Sequence, residues 1–465
     1  MMDENSGSDT LNQLPNELLS KIFVLSTPTP IQTPPPLQDS DLPWALLRVC
    51  NKWRNIALET VLLWNDVCVN YGSATATNKF EPADMIARTI AAEKILRRTK
   101  ESVISLDIRT VGLYSIREAE SRIFNLVISN STRIKSLAFR IIHISLETFL
   151  QLEPISFPIL ENLSIDDGHA QGLIISSPEE PILGLTHDPY EVSVWKATPQ
   201  LRGLTLSINI AWKHNYASLS WERLTYLFLR ATRLPITEAH RILRTCPSLV
   251  ALKITPGTVR VEVPEPGDSA PVHLPFLTEL IVEFYPCDEI SAFLRQLDVP
   301  SLRTLCILYP EYNFKEPDWN ISVIPILAGF PKLRSLSFYN RVPVNDIHAL
   351  LSRLPLLVEL RLPHQTILSR RNLTEISEGT LLPNLEKLSC STNPDLFKAH
   401  LEMVRERQKN TVNATTVSVK MNWYIDKEIG LRNDERTAMV ENSQLVSELQ
   451  MDGILKINSP SSIRK

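Results

Sequence analysis

Phe157-Pro-Ile-Leu-Glu-Asn-Leu-Ser-Ile165 is one copy of a phrase that returns along most of the chain: proline, one residue, leucine, two residues, leucine, one residue, apolar residue. Further copies are Thr198-Pro-Gln-Leu-Arg-Gly-Leu-Thr-Leu206, Cys246-Pro-Ser-Leu-Val-Ala-Leu-Lys-Ile254, Val299-Pro-Ser-Leu-Arg-Thr-Leu-Cys-Ile307, Phe330-Pro-Lys-Leu-Arg-Ser-Leu-Ser-Phe338 and Leu382-Pro-Asn-Leu-Glu-Lys-Leu-Ser-Cys390. A unit this short cannot bury its own apolar face, so the copies must stack on their neighbours. Weaker copies, Val103-Ile-Ser-Leu-Asp-Ile108 and Ile134-Lys-Ser-Leu-Ala-Phe139, keep the apolar spacing without the proline.

Outward from the phrase, the first apolar residues of successive copies stand at 103, 134, 160, 201, 224, 249, 277, 302, 333, 356 and 385, in steps of 31, 26, 41, 23, 25, 28, 25, 31, 23 and 29. These steps centre on the roughly 20–29 residues of leucine-rich repeats. The step of 41 spans Asp166 to Lys196, either a long loop or a degenerate extra copy. Leu-x-Leu alternation sends two side chains to one face of a short strand, and the earlier leucine packs from the preceding turn. Between strands, Ile236–Cys246, Ile290–Leu297 and Val344–Leu354 read as helices, with Thr237 and Asn345 as N-caps. The expected fold is α/β: a leucine-rich-repeat solenoid, or horseshoe, with a parallel sheet on its concave side.

Residues beside the strand leucines then face the concave surface. They are Tyr226, Phe228 and Arg230, Lys253, Glu279, Ile281 and Glu283, Leu308, Ser335, Ser337 and Tyr339, and Glu359 and Arg361. Aromatic and arginine side chains on an open sheet are the types favoured at binding hot spots, although any such sheet must place something there.

Ahead of the repeats, Leu11 to Val69 reads as helical, with Leu18, Ile22 and Leu25 lining one face of the first helix. It is interrupted by Thr27-Pro-Thr-Pro-Ile-Gln-Thr-Pro-Pro-Pro36, which reads as a surface loop because proline removes donors and fixes φ. Pro82 to Lys100 is an amphipathic helix joining the two parts. Beyond Cys390, a helix over Pro394–Lys409 and a strand over Thr416–Trp423 are expected to cap the solenoid. The expected divisions are a disordered tail over 1–10, a helical domain over 11–70, a linker helix over 71–100, the solenoid over 101–425, and a C-terminal helix and tail over 426–465.

Bulk composition narrows the function classes. The 465 residues carry a formal net charge of -4, whereas nucleic-acid binders usually show a basic excess. Neither a basic-then-apolar leader nor an apolar run of about 18 residues is evident, so no membrane partner is expected and the chain reads as soluble, in cytoplasm or nucleus. The six cysteines form no Cys-x-x-Cys pair and read as buried thiols in a reducing compartment. The nine histidines lack metal-ligand spacing, and the 13 glycines form no phosphate-cradling loop. No cofactor, metal site or catalytic residue is expected.

In the amino-terminal segment, Leu14, Pro15, Glu17, Leu18, Ile22 and Phe23 are followed by Val49, Cys50, Trp53 and Arg54, and then by Leu63 and Trp64. In order and chemistry this resembles the F-box, departing from it at Asn51, where a basic residue is usual, and in a longer inter-helix loop. Together with the repeats, the chain is similar to leucine-rich-repeat F-box proteins of mushroom-forming fungi.

The resemblance implies a small all-α F-box module and a substrate receptor of a Skp–cullin–F-box ubiquitin ligase. In that reading Leu14, Pro15, Leu18, Ile22, Phe23, Val49, Cys50, Trp53 and Trp64 dock a Skp-type adaptor and through it a cullin. Trp53 and Trp64 read first as internal packing, with their edges at the interface. The repeats hold an unidentified protein substrate through Tyr226, Phe228, Arg230, Lys253, Glu279, Glu283, Tyr339 and Arg361. Leu14→Asp with Phe23→Asp is then the pair expected to abolish docking. The alternatives are a repeat scaffold that keeps an F-box-like module without a ligase connection and, more remotely, an enzyme with accessory repeats.

Overall fold

A computed structural model describes residues 14–27, 30–33, 42–73, 82–111, 117–140, 154–166, 198–207, 219–230, 234, 236–255, 270–283, 289–308, 323–338, 344–363, 366–392, 394–410, 418–422, 443–451 and 455–458. Tyr339, the two expected tails and nearly all of the 166–196 interval lie outside them. The fold is α/β and the chain divides into two compact units, Met1–Leu224 and Thr225–Lys465.

The first unit holds helices α1 (Asn16–Ser26), α2 (Leu46–Val49), α3 (Asn51–Glu59), α4 (Pro82–Arg98) and α5 (Arg117–Asn130). Its strands are β1 (Ile31–Thr33), β2 (Asp66–Ser73), β3 (Ile104–Val111), β4 (Ile134–Arg140), β5 (Asn162–Asp166) and β6 (Gly203–Ser207). They pair in parallel, each with the next in sequence. The second unit holds β7 (Tyr226–Arg230), β8 (Ala251–Thr255), β9 (Val272–His273), β10 (Glu279–Glu283), β11 (Leu297–Asp298), β12 (Thr304–Leu308), β13 (Ser335–Phe338), β14 (Glu359–Arg361), β15 (Lys387–Ser391), β16 (Ser418–Asn422) and β17 (Leu455–Asn458). Its main sheet runs β7-β8-β10-β12-β13-β14-β15-β16-β17, and β9 pairs with β11 separately. Its helices are α6 (Ile236–Arg244), α7 (Glu289–Arg295), α8 (Ile324–Leu327), α9 (Val344–Ser352), α10 (Arg370–Glu378), α11 (Pro394–Asn410) and α12 (Ser443–Met451).

The repeated phrase explains this architecture. In each copy the N–H of the first leucine donates to the carbonyl of the residue before the proline: Leu160 to Phe157 at 3.3 Å, Leu201 to Thr198 at 3.1 Å, Leu302 to Val299 at 3.1 Å, Leu333 to Phe330 at 3.2 Å. Proline, with φ preset, occupies the second position of this four-residue turn. The turn delivers the leucine inward, and the two alternating positions of the strand follow it. Leu227, Leu252, Leu280, Leu305, Leu336, Leu360 and Leu388 are in register on successive strands. All are buried. A fully buried leucine contributes roughly 1.5–3 kcal/mol, so the columns account for much of the stability.

Two features were not anticipated. The residue before the proline is itself core, since Phe157, Thr198, Cys246, Leu274, Val299, Phe330, Leu354 and Leu382 are all buried. Successive turns are also stitched together. The carbonyls of Thr225, Val250, Thr278, Arg303, Arg334 and Val358 each accept from two successive N–H groups of the following copy. This satisfies turn backbone that would otherwise lack partners.

Several boundaries need correction. The segment over 11–70 is not all helical: the proline-rich stretch contributes β1, and β2 begins at Asp66. Three residues between prolines suffice because β1 lies at the end of the strand order, where proline is tolerated. The sheet therefore begins before residue 101. Nor is α4 only a linker, because it packs on β2. Tyr71 Oη lies 2.8 Å from Thr89 Oγ1, and Arg88 donates to the Asn70 carbonyl at 2.6 Å. At the other end β16 is no cap, because β17 pairs with it in parallel and extends the sheet beyond 425. Thr237 and Asn345 fall just inside α6 and α9 rather than at their N-caps.

Two buried or half-buried arginines hold adjacent copies together. Arg407 on α11 donates to the carbonyls of Ile376, Leu382 and Pro383 at 2.7, 2.8 and 2.7 Å. It thereby covers the C-terminus of α10, which Gly379 ends with φ of 75°. Arg133 does the same for α4, reaching the carbonyls of Leu96 at 3.0 Å and of Lys100. A cation at a helix C-terminus meets the negative end of the helix dipole.

Candidate functional site

Two surfaces gather the residues singled out from the sequence, and the amino-terminal helices carry the first. Helix α1 has two apolar faces. Leu19 and Phe23, one turn apart, are buried; Phe23 lies against Trp53 with ring centroids 5.0 Å apart. Leu18, Ile22 and Leu25 form a second stripe and remain 47%, 43% and 87% exposed. At the end of α2, Val49 is 57% exposed. An amphipathic surface helix has one apolar stripe, directed at the core, so the outward stripe is surplus to the fold.

The other expected docking residues are distributed unequally. Pro15 is exposed and Leu14 is half-buried, its carbonyl accepting from Lys52 Nζ at 3.0 Å. Cys50 caps α3, its Sγ accepting the Trp53 N–H at 3.4 Å. Trp53 is half-buried. Trp64 is wholly buried, its indole donating to the Ala57 carbonyl at 2.8 Å, its ring 5.6 Å from Trp44 and 4.8 Å from the Arg98 guanidinium. Phe23 and Trp64 therefore build the module from within and are unavailable to a partner as it stands. Leu25, and the exposed Leu62, are surface residues that the expected docking set lacks. The i, i+4, i+7 spacing of Leu18, Ile22 and Leu25 was the signal for the former.

The second surface is the strand face of the second unit. One row of register partners runs Phe228, Lys253, Ile281, Cys306, Ser337 and Arg361. The adjacent row runs Tyr226, Ala251, Glu279, Thr304, Ser335 and Glu359. Tyr226, Glu279 and Arg361 are exposed; Phe228, Arg230, Lys253, Ile281, Glu283 and Leu308 are half-buried. Lys253 Nζ lies 4.4 Å from the Phe228 ring centroid, a cation–π contact. Arg361 pairs with Glu359 at 2.7 Å, and Thr255 Oγ1 donates to Glu283 Oε2 at 3.3 Å. Ser337 is buried between its neighbours and offers little. Burial pushes the Cys306 thiol up to about 11, against the opposing pull of Lys253 and Arg361, so it is a poor nucleophile at neutral pH.

Three further cysteines behave as small core residues. Cys68 and Cys390 are buried, with thiols pushed by burial to about 11 and about 12; Cys246 is buried, its Sγ donating to the Ile242 carbonyl at 3.4 Å. No group of three or more His, Cys, Asp or Glu suited to a metal ion occurs among the described residues. No helix among them is long and apolar enough to cross a membrane.

The class so defined is an α/β protein built on extended parallel sheets whose strands follow one another in sequence order. No protein-family model matches the chain, and no curated protein does. Among solved structures it is similar to a Bacteroides fragilis protein determined as a structural-genomics target, at 12% identity over 76% of this chain and 86% of that one, with a TM-score of 0.35. A likeness at that level carries no functional inference.

Proposed function

We propose that the chain is the substrate-recognition subunit of a Skp–cullin–F-box ubiquitin ligase. In this reading the amino-terminal helices are the F-box, and the stacked copies are a leucine-rich-repeat horseshoe. The observation that carries the reading is the surplus apolar stripe of Leu18, Ile22 and Leu25 with Val49 on a module whose interior is already filled by Leu19, Phe23 and Trp64. Exposed apolar surface beyond what the fold uses marks a protein interaction site. The chain's contribution to chemistry would be proximity alone, holding a target near a ubiquitin-charged enzyme carried elsewhere in the complex. The aromatic and charged strand face, centred on Tyr226, Phe228, Arg230 and Lys253, suits the target.

Co-expression with a Skp-type adaptor followed by size-exclusion chromatography tests this. The native chain is expected to co-elute with the adaptor, and Leu18→Asp with Ile22→Asp to lose it while keeping the native thermal transition. Leu14→Asp with Phe23→Asp is the wrong probe, because Phe23 is packed on Trp53 and its loss would unfold the module. Absence of any complex, with no cullin in purified assemblies, would favour a scaffold without a ligase connection.

A further inference from the structure

A different surface follows from the turns rather than the strands. The stitching hydrogen bonds place Val250, Thr278, Arg303, Arg334 and Val358 side by side, each N–H donating to the carbonyl of the one before. They form a rim along one edge of the second unit's sheet. Two positions earlier in the same copies stand Phe276, Ser301, Lys332 and Leu356.

Arg303, Lys332 and Arg334 are exposed, and none of the three forms a side-chain hydrogen bond or ion pair among the described residues. Phe276 and Leu356, on either side of these cations, are 61% and 50% exposed.

The same rim in the first unit is built differently. There Lys135 and Glu161 occupy neighbouring turns and pair at 3.2 Å. In the second unit two arginines are neighbours instead, and like charges directly opposed across adjacent strands destabilise a sheet. A counter-charge from outside relieves that repulsion. Two arginines whose backbones stand at the spacing of adjacent strands, about 4.8 Å, can each take a carboxylate in a bidentate grip. Apolar side chains beyond them find Phe276 and Leu356.

We propose that this rim docks an acidic segment of a partner protein, with Asp or Glu residues at its centre and an apolar side chain at each end. A peptide is favoured over nucleic acid because the flanks of the three cations are the apolar Phe276 and Leu356, whereas a nucleic-acid surface continues as a basic stripe along the phosphates. The proposal is independent of adaptor docking, which involves another unit and other residues.

The test is fluorescence anisotropy on the full chain, with a labelled twelve-residue peptide carrying a Glu-Asp-Glu-Asp centre between Phe and Leu. Binding is expected to weaken at least tenfold in Arg303→Glu with Arg334→Glu and at least threefold in Phe276→Ala with Leu356→Ala. It should also weaken as salt rises. Arg303→Gln with Arg334→Gln gives a milder second variant, expected to lose about fivefold. A thermal transition unchanged in each variant confirms that the fold is kept.

No binding at 100 µM peptide, equal binding of a peptide with a Lys-Arg centre, or affinity unchanged in both charge variants would overturn the proposal. So would tighter binding of a twelve-nucleotide single-stranded RNA. Loss of adaptor co-elution in Leu18→Asp with Ile22→Asp leaves this binding intact, which separates the two readings.

Discussion

Arg407 shows how much one side chain can carry. Its guanidinium is buried, and at least three carbonyls of the preceding copy accept from it. Replacing it with methionine keeps the stem but removes these charge-assisted bonds, leaving the Leu382 and Ile376 carbonyls only the N–H groups of Leu385 and Gly379, a loss of about 1.5–3 kcal/mol. Arg407→Met is therefore expected to lower the urea midpoint clearly. Arg407→Lys should fall between, since an ammonium cannot reproduce the planar fork. His400 is buried, with Nδ1 2.9 Å from both Thr392 Oγ1 and the Leu396 carbonyl, and burial lowers its pKa to about 4. The unfolded chain, with histidine near 6.5, then binds the extra proton first. Stability from this group is complete above pH 6.5 and declines as pH falls toward 4. Unfolding free energy at pH 5 should be lower than at pH 7.5 by about 2 kcal/mol, and His400→Gln should remove most of that difference in denaturant titrations. At this scale the strand leucines were legible because they recur. Arg407, Arg133 and His400 were not, because each acts once, through contacts with distant backbone that leave no period in the sequence.

Among elements, each copy is a turn, a strand and a return segment, and the turn leucine and two strand positions form its inward set. Leu305→Ala opens a cavity between β10 and β13 and should cost 2–5 kcal/mol. Thr304→Ala, on the outward side of the same strand, should change stability by less than about 0.5 kcal/mol. Chemical denaturation of the pair checks both. The strands β3 to β8, β10 and β12 to β15 were readable from the spacing alone, whereas β9 and β11, two residues each, were not. Helix α10 was missed, although Ser369 accepts the Asn372 N–H as N-cap and Gly379 ends the helix, both ordinary start and stop signals. The strand β1 was hidden because prolines on both sides outweigh three residues of alternation, and only an edge position accommodates them. In β2, alternation at Val67, Val69 and Tyr71 was present, but it follows helix and 3-10 turn without a break. The exposed apolar stripe on α1 was legible as a face, but not which way it pointed. That depends on Leu19 and Phe23 filling the interior instead, which is a packing result.

For the molecule as a whole, the amino-terminal helices are folded onto their own apolar residues and still present others to solvent. In the proposed function these helices grip a second polypeptide while the strand faces stay free for a target. Hydrogen exchange of the full chain with and without a Skp-type adaptor measures this directly, since binding slows exchange where it protects backbone. Added protection is expected only in the helices over 16–26 and 46–59, with the strands from β7 to β15 unchanged. Protection on those strands, or none anywhere at saturating adaptor, would contradict it.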